Sequence, residues 1–284
     1  MKIGIVGATG VLGRVVIPLL IQDGHQVRIL ARSAAKARAL FPAEVEIVEG
    51  DLLDANVDLT ALLKGCGGAA HLATAIPQGK DMGKPGVWDV NTRLRTEGTK
   101  RLLRASLDAG VRRYLQQSIV MAYADHGDEW ITEDTPLDTA RDVVRNMEGM
   151  VRETPTEQLG WCILRGGAFL GKGTAQEETI EQLRAGQLRI VGDGRNFISP
   201  IHPADVASAV VAAFVKTPAG SIYNINDEPL REGDYLDHLA EILGISKPPR
   251  DLDKSRPPSY RCSNQAAKTV LAWTPTHSIF PSSS

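Results

Sequence analysis

Three glycines follow the first apolar segment of the chain at even spacing. Gly7, Gly10 and Gly13 come after the apolar run at residues 3–6 and overlap the start of a helical apolar pattern at Val11. Glycine lets backbone N–H groups approach a pyrophosphate closely, and the first turn of a helix leaves further N–H groups free to bind it. A strand, a glycine turn and a helix in this order predict a dinucleotide site. The predicted contacts in the turn are Gly7, Thr9, Gly10, Val11 and Gly13.

A second group of polar residues follows the second predicted strand. Arg32, Ser33 and Lys36 stand where an acidic residue would bind a ribose 2′-hydroxyl and repel a 2′-phosphate. A guanidinium and a hydroxyl suit a phosphate, because arginine can donate two parallel hydrogen bonds to it. These residues favour NADP(H) over NAD(H). The alternative, that Arg32 is only a solvated residue at a strand end, stays open.

Further candidates lie at the ends of later strands. Asp51 follows the third strand, where it either accepts a hydrogen bond from the adenine amino group or only caps the next turn. Small residues after the fourth strand would let a cofactor lie against the backbone, and ligands of open parallel sheets bind at the carboxyl ends of the strands. The remaining cofactor contacts predicted from these positions are Leu52, Ala73, Thr74, Gln117 and Arg165.

The elements that position these residues alternate between strand and helix. Right-handed crossovers then give an α/β fold, a Rossmann-like, doubly wound parallel sheet with a small C-terminal substrate-binding lobe. The longest predicted helices cover residues 90–108 and 139–157, and a Gly- and Pro-rich surface loop is expected at 77–87. The predicted strands cover residues 3–6, 25–30, 45–48, 67–72, 113–120, 161–164 and 221–225.

The same pattern predicts how the chain divides. We expect residues 1–165 to form the dinucleotide-binding domain, with a segment of about 198–226 returning to it. Residues 166–197 and 227–275 are expected to form the substrate-binding lobe, and residues 276–284 a tail.

The bulk properties of the sequence argue against several classes of protein. The 284 residues carry a net charge of −2, which gives no electrostatic sign of nucleic-acid binding. The three cysteines form no C-x-x-C pair and the histidines have no metal-binding spacing, so neither a disulfide framework nor a metal site is expected. The sequence shows no secretory signal and no apolar stretch that could span a bilayer. We expect a cytoplasmic protein with a small-molecule partner and no membrane association.

As a set, the motifs resemble the short-chain dehydrogenase/reductase superfamily, in its extended or atypical, epimerase/dehydratase-like branch. The resemblance runs from residue 1 to about 275. It implies NAD(P) bound across the ends of the strands, Asn91 as a further cofactor contact, and a monomer or homodimer. The matching segments are Gly7-x-x-Gly10-x-x-Gly13, Gly50-Asp51-Leu52, Asn91 with Gly98-Thr99, and Gly192-Asp193-Gly194 with His202 and Asp205.

The sequence departs from this superfamily at its catalytic pair. The superfamily uses Tyr-x-x-x-Lys, in which the tyrosine moves a proton while the lysine lowers its pKa and holds the ribose. No tyrosine of this chain has a lysine four residues later, and Ala140 and Val144 stand at the two positions. Tyr123 is the best substitute acid by position, with Ser118 donating a hydrogen bond to a substrate carbonyl. The alternative is that Tyr123 is a packed loop residue.

A second departure concerns the substrate. Nucleotide-sugar members of the superfamily read Arg-Pro-x-Asn-x-Tyr-Gly-Pro after the sixth strand, whereas Ala168 and Leu170 replace the Asn and Tyr here. The pocket is therefore expected to be apolar, which argues against a sugar nucleotide. Phe169, Arg195 and Asn196 are the predicted substrate contacts, with Arg195 as the partner of a carboxylate or phosphate.

Three functions are consistent with these residues. The first is an NADP(H)-dependent oxidoreductase that acts on a small, fairly apolar carbonyl or alkene, because a reductase can use water or a relocated acid. The second is a sugar-nucleotide epimerase or dehydratase, which the missing pair and Ala168 disfavour. The third is a non-catalytic NADP(H) redox sensor, in which an intact glycine turn would accompany a lost catalytic pair.

Overall fold

The computed structural model describes residues 1–77 and 83–281. In these residues the strands are β1 (Lys2–Val6), β2 (Gln26–Ala31), β3 (Glu46–Glu49), β4 (Gly68–His71), β5 (Arg113–Ile119), β6 (Gly160–Gly166), β7 (Ala168–Phe169), β8 (Ile190–Val191), β9 (Phe197–Ile198), β10 (Pro200–Ile201), β11 (Ser221–Ile225), β12 (Leu230–Arg231) and β13 (Arg250–Asp251). The α-helices are α1 (Val11–Gln22), α2 (Ala34–Arg38), α3 (Leu59–Leu63), α4 (Asp89–Arg93), α5 (Thr99–Asp108), α6 (Asp142–Arg152), α7 (Gln176–Arg184), α8 (Pro203–Lys216), α9 (Glu232–Ile242) and α10 (Gln265–Val270).

Seven strands form one sheet in the order β11-β6-β5-β4-β1-β2-β3. Every neighbouring pair in this sheet is parallel. The order reverses between β1 and β4, which is the switch point where such sheets bind ligands. The predicted Rossmann-like, doubly wound sheet is confirmed.

Helices cover both faces of the sheet because successive strand residues point to opposite sides. Ile5 packs in the cluster that holds α1 and α8, whereas Val6 packs in the cluster that holds α3, α5 and α6. Both faces of the central strands are therefore buried, which is why they read as continuous apolar runs.

A C-terminal segment returns to the sheet and the rest forms a smaller unit. β11 pairs with β6, and α8 packs against α1. Outside the sheet, β7 pairs with β10, β9 with β12, and β8 with β13. Leu183, Tyr235 and Leu239 are buried in a core that α7, β8, β9, β12 and α9 share, whereas Phe169 and Ile201 of β7 and β10 pack in the cluster of α1 and α8.

Two predicted helices differ from those observed. The helix predicted at 139–157 covers only Asp142–Arg152, because Asp138 accepts a hydrogen bond from the backbone of Ala140 in a turn and Pro155 disfavours helix at the preceding residue. The helix predicted at 90–108 contains a π-helical turn, Leu94–Gly98, between α4 and α5. The surface loop predicted at 77–87 lies partly outside the described residues, at 78–82.

Two further observations concern the described ranges alone. No helix there is long and apolar enough to cross a membrane. The same ranges contain no cluster of three or more metal-ligating side chains.

Candidate active site

The glycine turn forms a cradle between β1 and α1. Gly7 has a φ of +87°, and a Cβ there would lie 2.3 Å from the backbone nitrogen of Ala73. A Cβ on Gly13 would lie 2.3 Å from the carbonyl oxygen of Ala8, whereas one on Gly10 would meet nothing nearer than 3.4 Å. Gly7 and Gly13 are therefore required by packing, while Gly10 is exposed and caps α1 without a side chain. This arrangement leaves backbone N–H groups accessible and fits a pyrophosphate.

The loop after β4 closes one side of this cradle. Ala73 lies against Gly7, and Thr74 beside it is exposed. Asn91 of α4 is buried, and its Oδ1 accepts a hydrogen bond from the backbone nitrogen of Ala75 at 3.1 Å. Asn91 thus fixes the loop that borders the glycine turn, so the structure brings these predicted residues together.

The residues predicted to hold a 2′-phosphate surround the start of α2. Arg32 and Lys36 are exposed, and within residues 1–77 and 83–281 neither side chain has a hydrogen bond or an ion pair. The Ser33 hydroxyl accepts a hydrogen bond from the Lys36 backbone at 3.3 Å. One carboxylate is also present, since Glu49 Oε2 accepts a hydrogen bond from the Ala34 backbone at 2.7 Å. In the described ranges the side chains of Arg32 and Lys36 are thus without a partner, whereas the Glu49 carboxylate accepts a hydrogen bond from the backbone.

The predicted adenine contacts follow β3. Asp51 Oδ1 accepts a hydrogen bond from the backbone nitrogen of Leu53 at 2.9 Å, so this carboxylate caps a turn. Leu52 is buried, and its carbonyl oxygen accepts a hydrogen bond from Arg101. Asp51 Oδ2 makes no hydrogen bond in the described part of the chain and can accept one.

A buried polar network lies between β5, β6 and α6. Arg165 donates from Nη2 to Glu148 Oε2 at 2.7 Å and from Nε to Glu148 Oε1 at 3.0 Å. The Ser118 hydroxyl donates to the same Oε1 at 2.6 Å. Arg165 Nη1 also donates to the Tyr123 hydroxyl at 2.6 Å, and that hydroxyl donates to Asn224 Oδ1 at 2.9 Å. The network connects three strands and a helix at the carboxyl edge of the sheet.

Burial determines what the two hydroxyls of this network can do. Ser118 is 0% and Tyr123 is 1% exposed. Burial raises the pKa of Tyr123 well above its ordinary value, despite the neighbouring Arg165. Burial opposes the charge of Arg165 as well, but the hydrogen bonds and charge of Glu148 raise its pKa. Both hydroxyls are therefore engaged within the network, and the catalytic roles of Ser118 and Tyr123 stay predictions.

The positions of the missing catalytic pair carry no polar side chain. Ala140 is exposed just before α6, and Val144 is buried on the inward face of that helix.

Gln117, on the opposite face of β5 from Ser118, is buried with an Oε1 that is unpaired among the described residues. An unpaired buried amide is unusual in proteins and is a candidate contact for a ligand.

The predicted substrate residues occupy the smaller unit but differ in accessibility. Phe169 is half-buried against Gly166 at the end of β6. Asn196 is buried and donates to Glu232 Oε2 at 2.9 Å, so it holds α9 in place. The Arg195 side chain is exposed and has no partner in the described ranges.

Beside Arg195, two arginines that sequence reasoning missed lie against the rings of Trp130 and Phe197, which it expected near the pocket. The Arg261 guanidinium lies 4.3 Å from the Trp130 ring and 4.8 Å from the Phe197 ring. Arg231 lies 3.9 Å from the centre of the Phe197 ring and binds Asp128 through both of its terminal nitrogens. This surface is both cationic and aromatic, which suits an aromatic molecule that carries an anionic group.

Sequence reasoning also missed Glu148 and Arg95. A signal for Glu148 was present, because it lies four residues after Val144 and three before Val151, on the inward face of an amphipathic helix. A charged residue on an inward face implies a buried partner. Arg95 had a similar signal, since it lies four residues after Asn91 and seven before Leu102, on the inward face of the predicted helix.

Comparisons with known proteins show the family and the fold. Residues 7–217 match the model of the NAD(P)H-binding family. A 3-diazoavenalumate denitrifying reductase from a Streptomyces species is 32% identical and covers 98% of this chain and 97% of its own. A UDP-glucose 4-epimerase from Mycolicibacterium smegmatis is 27% identical over 97% of this chain and 94% of its own. In fold, a dTDP-glucose 4,6-dehydratase from Streptomyces venezuelae, solved with NAD bound, matches with a TM-score of 0.81 at 22% identity, over 98% of this chain and 93% of that one.

Proposed function

The chain belongs to the NAD(P)H-binding family of short-chain dehydrogenase/reductase-like oxidoreductases, and from that premise we propose that it is an NADPH-dependent reductase that needs no proton from the protein. The observation that carries the proposal concerns the residues at, or able to replace, the superfamily's proton donor. Ala140 and Val144 replace the catalytic pair, and the hydroxyls of Ser118 and Tyr123 are buried in structural bonds. A reaction that consumes a proton at the substrate has no donor at these positions.

A diazo compound is the acceptor that suits such a site. The relative that is 32% identical is named as a reductase that removes nitrogen from a diazo compound. NADPH supplies a hydride when bound, and replacement of N₂ by hydride on an arenediazonium ion gives the arene, N₂ and NADP⁺ with no proton to place. The protein then has only to bind, orient and shield the two reactants.

The accessible residues favour an aromatic, anionic substrate of this class. Phe169, Phe197 and Trp130 offer apolar surface, and Arg195 offers a free guanidinium. We propose NADPH rather than NADH because Arg32 and Lys36 stand free beside Ser33.

The cysteines of this chain, which are buried and unpaired, suit a reducing cytoplasm. We retain a monomer or homodimer as the proposed assembly.

A carbonyl or alkene acceptor, as predicted from the sequence, is the second candidate. It would require water as the proton source, because the hydroxyls of Ser118 and Tyr123 already donate to Glu148 and Asn224. An epimerase is favoured only by relatives such as the UDP-glucose 4-epimerase, and Ala168 and Leu170 place no polar side chain where a sugar-nucleotide enzyme has Asn and Tyr. A redox sensor would bind NADPH without turnover.

One panel separates these candidates. The purified chain is incubated with NADPH and, in separate reactions, 4-carboxybenzenediazonium, an apolar aryl ketone, an enone and UDP-glucose. NADPH loss is followed by absorbance, with enzyme-free reactions subtracted. We expect loss above the enzyme-free rate with the diazonium ion, and Arg32→Ala should weaken NADPH binding by about tenfold or more while leaving NADH binding unchanged.

Several results would contradict the proposal. Turnover of the ketone or enone but not the diazonium ion would support the second candidate. NADPH binding with no turnover of any acceptor would support the sensor. Equal affinity for NADPH and NADH in the unmodified chain would remove the cofactor preference.

A further inference from the structure

Arg95 is a buried cation with too few hydrogen-bond acceptors. It is 3% exposed and lies in the π-helical turn between α4 and α5. Within the described part of the chain, its hydrogen bond is from Nη1 to Met147 Sδ at 3.6 Å, and no carboxylate lies within ion-pair distance. A guanidinium has five N–H donors, and a thioether is a weak acceptor. Such a group is costly to bury unless something else completes it.

What Arg95 lacks is acceptors more than negative charge. The carboxylate of Glu148 attracts it, although burial outweighs this attraction and lowers the pKa of Arg95. Glu148 accepts three hydrogen bonds from Arg165 and Ser118 and none from Arg95, so it offers Arg95 charge but no hydrogen bond. Neutral oxygen acceptors would therefore satisfy Arg95 without adding an uncompensated charge.

The position of Arg95 is on the nicotinamide side of the cradle. The pyrophosphate cradle lies at β1 and β4, while Met147 lies on α6, which covers β5 and β6. Arg95 is four residues after Asn91, which holds the loop after β4. Its partner Met147 is three residues, about one helical turn, after Val144, which occupies the position of the superfamily's ribose-binding lysine.

We propose that Arg95 binds the hydroxyls of the nicotinamide ribose, and so replaces from α4–α5 the cation that α6 has lost at Val144. This inference rests on the proposed function only in requiring that NAD(P)H binds. It assigns a cofactor contact that the glycine turn does not supply. It also accounts for a buried arginine whose hydrogen bond, among the described residues, goes to the weakly accepting thioether of Met147.

Binding measurements on the full chain test it without any substrate. Dissociation constants are measured by fluorescence titration for NADPH, NADH and 2′,5′-ADP, which lacks the nicotinamide ribose. Arg95→Met should weaken NADPH and NADH by the same factor, about tenfold or more, and leave 2′,5′-ADP unchanged. Arg93→Met is the matched control, because Arg93 is exposed two residues away and pairs with Glu97. Arg95→Lys should keep part of the affinity.

Melting temperatures separate binding from folding. If Arg95 binds the cofactor and not another part of the chain, Arg95→Met should leave the Tm of the cofactor-free chain unchanged or raise it. The increase in Tm on adding NADPH should then be smaller than in the unmodified chain. A lower Tm without cofactor and an unchanged rise with it would make Arg95 structural and overturn the inference. Equal NADPH affinity in Arg95→Met, or a loss that includes 2′,5′-ADP, would also overturn it. Failure of the unmodified chain to bind either dinucleotide would instead reject the proposed function.

Discussion

Replacing Glu148 by Gln tests the network that holds the carboxyl ends of β5 and β6 together. Arg165 is 2% exposed, and Glu148 meets it through both carboxylate oxygens. The variant keeps the shape of the side chain but removes the charge and turns one acceptor into a donor that faces the guanidinium. Arg165 would then be a buried cation without a charged hydrogen-bond partner, held by the glutamine oxygen, the Tyr123 hydroxyl and the carbonyl oxygen of Glu133.

The size of the effect follows from this burial. Breaking one partner of a buried ion pair costs about 3–5 kcal/mol, because the other charge is left uncompensated. The glutamine oxygen retains one hydrogen bond, so we expect the lower end, about 3 kcal/mol. For a chain of this size each kcal/mol lowers the Tm by slightly less than about 2 °C, which gives a fall of about 5 °C.

Thermal unfolding followed by circular dichroism measures this change. The control is Glu97→Gln, which removes the carboxylate of the exposed Arg93–Glu97 pair and should leave the Tm close to that of the unmodified chain. The double variant Glu148→Leu with Arg165→Met should regain part of the lost stability, since it removes both charges of the pair, while the buried Arg95 loses the attraction of Glu148. If Glu148→Gln changed the Tm no more than Glu97→Gln does, the reasoning about this network would be refuted.

Three further predictions concern separate parts of the molecule. Gly10→Ala should keep the Tm but weaken NADPH binding in a titration, whereas Gly13→Ala should also lower the Tm because its Cβ would meet Ala8 at 2.3 Å; similar Tm values for both would contradict the cradle geometry. Burial lowers the pKa of His71 to about 4 from an ordinary 6.5, so the unfolded chain binds a proton that the native chain does not, and stability should fall as the pH drops from 6.5 toward 4. His71→Gln should remove about 3 kcal/mol of that fall in denaturant titrations, and an unchanged pH dependence would count against it. Tyr123→Phe should lower stability by about 1–3 kcal/mol, because Asn224 loses its donor, yet leave the rate of hydride transfer within about twofold; a loss of activity without a loss of stability would restore its catalytic role.

Local patterns predicted the sheet and the cradle well. The apolar run of β1, the glycine spacing and the apolar pattern of α1 are encoded within about 20 residues of each other, so no distant contact was needed to read them. The ends of α6 were less predictable, because they depend on a turn at Asp138 and on Pro155 rather than on periodicity. The π-helical turn also escaped prediction, since its Leu94 carbonyl contacts His71 on β4.

The polar interior of the site could not be predicted for a different physical reason. Ser118 and Arg165 are neighbours only through the register of β5 and β6, and Glu148 reaches both from a helix between them in sequence. Tyr123 was well placed along the chain for a catalytic role, but whether its hydroxyl faces a ligand or Asn224 depends on β11, about 100 residues later. Position along the chain located these residues without determining their partners.

Transfer of deuterium from the cofactor tests the central claim most directly, namely that hydride reaches the substrate without a proton from the protein. NADPH deuterated on one face of C4 is supplied with 4-carboxybenzenediazonium, and the benzoate product is examined by mass spectrometry and NMR. We predict one deuterium at the carbon that carried N₂, from only one of the two C4-deuterated forms, and none when ordinary NADPH is used in D₂O. Deuterium taken from D₂O, or transfer without preference for either face, would contradict the account.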